Sequence, residues 1–110
     1  MAADEMYTVM YKILAIVYST MREEREVSKI AISAEALGVG EKYWADIMAQ
    51  LVSHGYLSGV TVVDLPDGSH VVRLQHPSVT MEGVQFAKEN SMMAKAKKAL
   101  MEAKAMIPHI

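Results

Sequence analysis

Apolar residues recur at three- and four-residue spacing through Met6, Tyr7, Met10, Leu14, Val17, Tyr18 and Met21, which predicts a helix over about residues 4–21. Asp4 stands where an N-cap carboxylate accepts from the free N–H groups of a first turn. Val9, Tyr11, Ile13 and Ile16 fill much of the remaining circumference, so the apolar surface is broader than one stripe. A helix apolar over so much of its surface is normally buried on more than one side. Two coverings fit it, the C-terminal helices or a second copy of the chain.

Arg22 to Glu26 is a solvated charge run and marks a helix end or loop. Ser28-Lys29-Ile30-Ala31-Ile32 alternates weakly and predicts a short strand. Ser33 then caps one or two helical turns that Gly38 stops, with Gly38-Val39-Gly40 as the turn. A longer helix is predicted from about Glu41 to His54, with Gly55 as its left-handed C′ residue. Trp44, Ile47, Met48, Leu51 and Val52 mark its buried face, and Lys42, Tyr43, Asp46, Ala49, Gln50 and Ser53 fall mostly on the other. Tyr56 to Val63 is rich in β-branched residues and predicts a strand. Pro66-Asp67-Gly68 supplies the turn, Ser69 to Gln75 returns as the partner strand, and Pro77 is expected to break it. Thr80 caps a helix from about Met81 to Lys88. A last helix, Met92 to Ile107, sets Met93, Ala96, Leu100, Ala103 and Ile107 on one side and Lys95, Lys98 and Glu102 on the other, before Pro108.

The predicted order is helix, short strand, short helix, turn, longer helix, hairpin, and then two helices. This is the order of a winged helix-turn-helix, an α+β and mostly α fold, with a two-stranded wing and two additional C-terminal helices. A single domain over residues 1–110 is expected, with a core of about 4–76 and a helical pair of about 80–107.

Composition narrows the function classes. The chain is 52% hydrophobic and 22% charged, which suits a packed domain rather than a disordered one. It has no cysteine, which excludes disulfides, thiolate catalysis and Cys-based zinc sites. The longest apolar run, Ile13 to Tyr18, is far short of the ~20 residues that span a bilayer. The opening Met-Ala-Ala-Asp-Glu is acidic where a signal peptide is basic. A cytoplasmic protein without membrane contact is therefore expected. The net charge is −2, whereas a nucleic-acid binder usually carries a basic surplus. The only basic segment is the tail, with Lys95, Lys97, Lys98 and Lys104 against Glu102.

Three stretches stand out: Ile32-Ser33-Ala34-Glu35-Ala36-Leu37-Gly38-Val39, Ser53-His54-Gly55-Tyr56-Leu57-Ser58-Gly59-Val60, and Val79-Thr80-Met81-Glu82-Gly83-Val84-Gln85-Phe86 with Glu89-Asn90-Ser91-Met92-Met93 after it. Together they resemble the YjcQ-like proteins of bacteria and their prophages. The second corresponds to a Gly-Tyr-Ile-x-Gly pattern and the third to an Ile-Thr-x-x-Gly helix. The likeness spans about residues 7–108 and implies a winged helix with two extra C-terminal helices. It supplies no mechanism and no functional residues. The chain departs from the pattern at Gly40, where a Ser cap is common, and at Ala87, where a large apolar residue is usual.

Two functions remain open at this point. In one, the chain is a DNA-binding regulator, prophage-associated in keeping with the resemblance. Lys42, Tyr43 and Gln50 on the longer helix and Ser69, His70 and Arg73 on the wing are then the nucleic-acid contacts. Glu41 and Asp46 oppose this, because they would face phosphates. In the other, the scaffold serves protein interaction or a homodimer, with Tyr7, Tyr11 and Tyr18 at the interface. The methionines fit either core filling or an adaptable surface. His54, His70, His76 and His109 have no metal-ligand spacing, and His54 suits the C-terminal end of its helix. No phosphate loop, nucleophile elbow or paired-carboxylate motif is present, so no enzyme, cofactor, metal or small-molecule substrate is expected.

Overall fold

The computed structural model describes residues 3–89, with side chains from Met6 onward. The elements are α1 (Ala3–Arg22), α2 (Ala34–Leu37), α3 (Glu41–Ser53), β1 (Leu57–Asp64), β2 (His70–Val79) and α4, helical over 81–89. Among the described residues the protein is therefore α+β, with four helices and one two-stranded antiparallel sheet. The expected helix 92–107 and the basic tail with Lys95, Lys97, Lys98 and Lys104 lie outside the described residues.

The helix ends follow local chemistry. Ser33 caps α2 by accepting from the Ala36 N–H at 3.2 Å, and Gly38 closes it at φ 71°. Gly40 precedes α3 without a side-chain cap, a loss of only a few tenths of a kcal/mol against Ser. At the far end the Tyr56 N–H reaches the Leu51 carbonyl and the Gly55 N–H reaches Val52, with Gly55 at φ 73°. This paired closure satisfies the last carbonyls of the helix and turns the chain into β1. His54 adds to it, its Nδ1 lying 2.9 Å from the Gln50 carbonyl.

The core lies between α1, α3 and one face of the hairpin. Ile13, Leu14 and Val17 of α1 meet Ile47, Met48 and Leu51 of α3, with Leu57, Val60 and Val79 of the hairpin and Ile32 of the connecting loop. The one buried polar side chain among the described residues, Thr20, gives its hydroxyl hydrogen to the Ile16 carbonyl at 2.8 Å. Tyr43, expected on the solvent face of α3, instead packs partly buried against this core.

Three further sequence expectations are corrected. The helix begins at Ala3, so Asp4 lies inside α1 and is not its N-cap; alanine extends a helix readily. Residues 28–32 form successive turns rather than a strand. The Ala31 N–H returns to the Ser28 carbonyl at 3.1 Å, and the Ser33 N–H and hydroxyl both reach the Ile30 carbonyl. Serine side chains that satisfy backbone groups locally compete with ladder pairing in this way. Trp44 holds the end of the turns, its Nε1–H donating to the Ile32 carbonyl at 2.8 Å.

Nor does Pro77 break β2, which continues to Val79. Ser58 pairs with Ser78 and Val60 with Leu74, so Gly59 alone faces Gln75, His76 and Pro77. Within this bulge a proline owes no N–H to the ladder. Gly59 has φ 71°, and its Cα rests on the His76 carbonyl.

The candidate α3–hairpin and α1 surfaces

The hairpin tip is built from a tight turn. The Gly68 N–H donates to the Leu65 carbonyl at 3.0 Å, and Gly68 adopts φ 87°. Asp67 then accepts from Ser69 twice, from its N–H at 2.9 Å and its hydroxyl at 2.5 Å. The Ser69 hydroxyl and then its N–H hold the Asp67 carboxyl below the usual carboxylate range, and Lys42 adds a smaller attraction from α3. A depressed carboxyl stabilises the fold above its unfolded pKa and loses that contribution as pH falls through the folded value. Ser69→Ala is accordingly expected to raise the Asp67 pKa towards 3.8, read from its carboxylate carbon shift during an NMR titration.

Directly beyond that turn His70 pairs with Asp64 across the ladder. Its Nδ1 lies 2.7 Å from Asp64 Oδ1, while its Nε2 lies 3.5 Å from Asp46 Oδ1 on α3. The hairpin tip thus leans on the first half of α3, and Lys42, Asp46, Asp64, Asp67, Ser69 and His70 share one surface. Asp46 was expected there. Asp64 and Asp67 join it through the His70 contacts and the attraction of Lys42.

The other expected nucleic-acid contacts do not gather at this surface. Tyr43 packs against the core. Gln50 is exposed two turns along α3, its carbonyl taken by His54 and Ser53. Arg73 pairs with Thr61 on the exposed side of the sheet, while its neighbours Val72 and Leu74 pack inwards. Strand alternation therefore turns Arg73 away from α3. What remains is three aspartates around one lysine and one histidine, with the serine hydroxyl and the histidine ring already engaged. Such a surface repels phosphate oxygens.

The second candidate surface lies on α1. Tyr7, Tyr11 and Tyr18 are 46%, 36% and 42% exposed. At 100° per residue they fall within about 40° of one another around the helix. They flank the buried arc of Met10, Leu14 and Val17. The Tyr7 ring also meets Phe86 of α4 at 6.0 Å, and Phe86 stacks on Tyr56 at 4.6 Å. Tyr56 in turn stacks on His54 at 5.6 Å, so a run of rings joins the ends of α1, α3 and α4.

Among the described residues no helix is long and apolar enough to cross a membrane. Hairpin, tight α2–α3 turn and ring-tied α4 together define an α+β protein of the helix–helix–hairpin kind. The family model described as YjcQ protein matches residues 11–106, and the chain belongs to this family. Neither the curated proteins nor the solved structures compared with it gave a match.

Proposed function

We propose that the chain is a protein-interaction module on a winged-helix scaffold, pairing with a second copy of itself through the tyrosine face of α1. The observation that carries this reading is the exposure of Tyr7, Tyr11 and Tyr18 along one strip of the longest described helix. Their spacing is self-complementary. An antiparallel two-fold crossing near Leu14 and Ala15 sets Tyr11 of each copy opposite Tyr18 of the other. Ala15, small and partly exposed, lets the helices approach there. Tyrosine suits such a contact because it buries a large rigid ring and keeps a hydroxyl for water or a partner. Light scattering at rising protein concentration tests the reading, with a two-chain mass expected.

The winged-helix part of the proposal rests on the order of α1 to β2, with α2 and α3 joined by a short glycine turn. That order also favours the alternative, a prophage-associated DNA-binding regulator, with Lys42 as its surviving contact on the α3–wing surface. The carboxylates of Asp46, Asp64 and Asp67 oppose it, since phosphate neutralisation supplies most non-specific DNA affinity. Fluorescence anisotropy of a labelled duplex in about 50 mM salt separates the two, because electrostatic binding is strong at low salt. The expected result is no saturable binding at micromolar protein. Saturable binding would restore the DNA reading.

A further inference from the structure

The His70 ring stands between two carboxylates, one near each nitrogen. Its Nδ1 meets Asp64 at 2.7 Å and its Nε2 meets Asp46 at 3.5 Å. Ionised carboxylates only accept, so the Nδ1 hydrogen bond needs a hydrogen on Nδ1, and Asp46, at ion-pair distance, is attracted to Nε2 only when that nitrogen is protonated. Neutral imidazole carries one N–H and imidazolium carries two. If a neutral ring gives Nδ1–H to Asp64, the Nε2 lone pair faces the Asp46 carboxylate. If it takes the other tautomer, a lone pair faces Asp64 at the shorter distance. Either neutral form leaves one repulsive contact.

We propose that His70 is a proton-operated latch between the wing and α3. The imidazolium bridges Asp64 of β1 and Asp46 of α3 and holds the wing tip against the helix. Loss of the Nε2 proton turns the Asp46 contact from attraction to repulsion and frees the tip. The charged groups around the ring are Asp46 and Lys42 from α3 and Asp64 and Asp67 from the hairpin. Lys42 adds only a small attraction to Asp67 across the same gap, whatever the charge on the ring. The His70 side chain is 22% exposed, sheltered enough to keep its partners and open enough to exchange protons with water. Histidine is the side chain that changes charge within the ordinary range of cellular pH. The latch therefore changes the shape and charge of the α3–wing surface together. It stands independently of the α1 pairing.

A double-mutant cycle tests it. Wild type, Asp46→Asn, His70→Gln and the double variant are unfolded in urea at about pH 5.5 and about pH 8. All the altered side chains lie at the surface or its margin, so each variant is expected to fold. At the lower pH the Asp46–His70 coupling is expected to favour folding about two- to five-fold, the range of surface ion pairs. At the higher pH it should vanish or reverse, with Asp46→Asn neutral or stabilising. A role as mere packing would give the same coupling at both. Coupling that is equal at the two values, larger at the higher, or absent at the lower overturns the latch.

Discussion

Gly59→Ala is expected to destabilise the protein by about 2–4 kcal/mol, a large effect for a single methyl group. Two costs combine. At φ 71° an L side chain is strained whatever the space around it, and here the added Cβ would run into the His76 carbonyl and crowd the Pro77 nitrogen. Neither neighbour is a flexible side-chain tip, so backbone must move. That movement disturbs the register shift between Ser58 and Val60, which lets β2 pass through Pro77 and carry Val79 into the core. Urea unfolding monitored by circular dichroism measures the loss. A change below about 0.5 kcal/mol, the size of a neutral surface substitution, would show that the bulge relaxes freely.

Gly83→Ala is expected to cost about 2 kcal/mol, against the direction of helix propensity, which favours alanine by about 1 kcal/mol. The reason is the joint between α3 and α4. The Thr80 N–H donates to the Tyr56 carbonyl at 3.2 Å, and the Thr80 hydroxyl donates to the Gly55 carbonyl. The same hydroxyl accepts from the Gly83 N–H at 3.0 Å. These bonds draw the first turn of α4 onto the chain leaving α3, until Gly83 touches the Tyr56 carbonyl and Val79. A Cβ at Gly83 would meet Val79 Cγ1 at 2.8 Å and overlap the carbonyl more closely still. Relief requires α4 to lift away, which breaks the Tyr56–Phe86 stack. Faster amide exchange over residues 81–89 with little change in α1 is the expected signature. A stabilised Gly83→Ala variant would contradict the joint.

The same joint explains why two of the family-like stretches belong together. Gly55-Tyr56 and Thr80-x-x-Gly83 are distant in sequence, yet each group of one meets a group of the other. From the chain alone the elements could be read where a local group decides them. Ser33, Gly38, Gly55 and Pro66-Asp67-Gly68 cap, stop and turn as their chemistry requires. Two of the misreadings also involve partners distant in sequence. A weak alternation suggested a strand at 28–32, but serine bonds and the Trp44 contact hold those residues in turns. Pro77 reads as a breaker until Gly59, on the other strand, supplies the bulge.

The candidate surfaces were legible in the same uneven way. Counting outwards from the turn pairs Asp64 with His70, so that contact is present in the sequence. The approach of Asp46 and Lys42 to that pair depends on how the hairpin twists over α3, which residue spacing does not reveal. Alternation along β2 does reveal that Arg73 points away from His70 and Leu74. The tyrosines of α1 were separable from its core only after α3 and the hairpin had covered the other side. Tyr11 is exposed enough to change without removing a core side chain, unlike Ile13 or Leu14.

That exposure makes Tyr11→Glu the direct test of pairing through α1. Sedimentation velocity is run on wild type and variant over a wide concentration range, with far-ultraviolet circular dichroism as the check on folding. The wild type is expected to move from one-chain to two-chain mass as concentration rises. The variant is expected to keep its helical signal and remain at one-chain mass, because each new carboxylate would be desolvated against Tyr18 of the other copy. A wild type that stays at one-chain mass throughout, or a folded Tyr11→Glu that pairs as well as the wild type, would contradict the account.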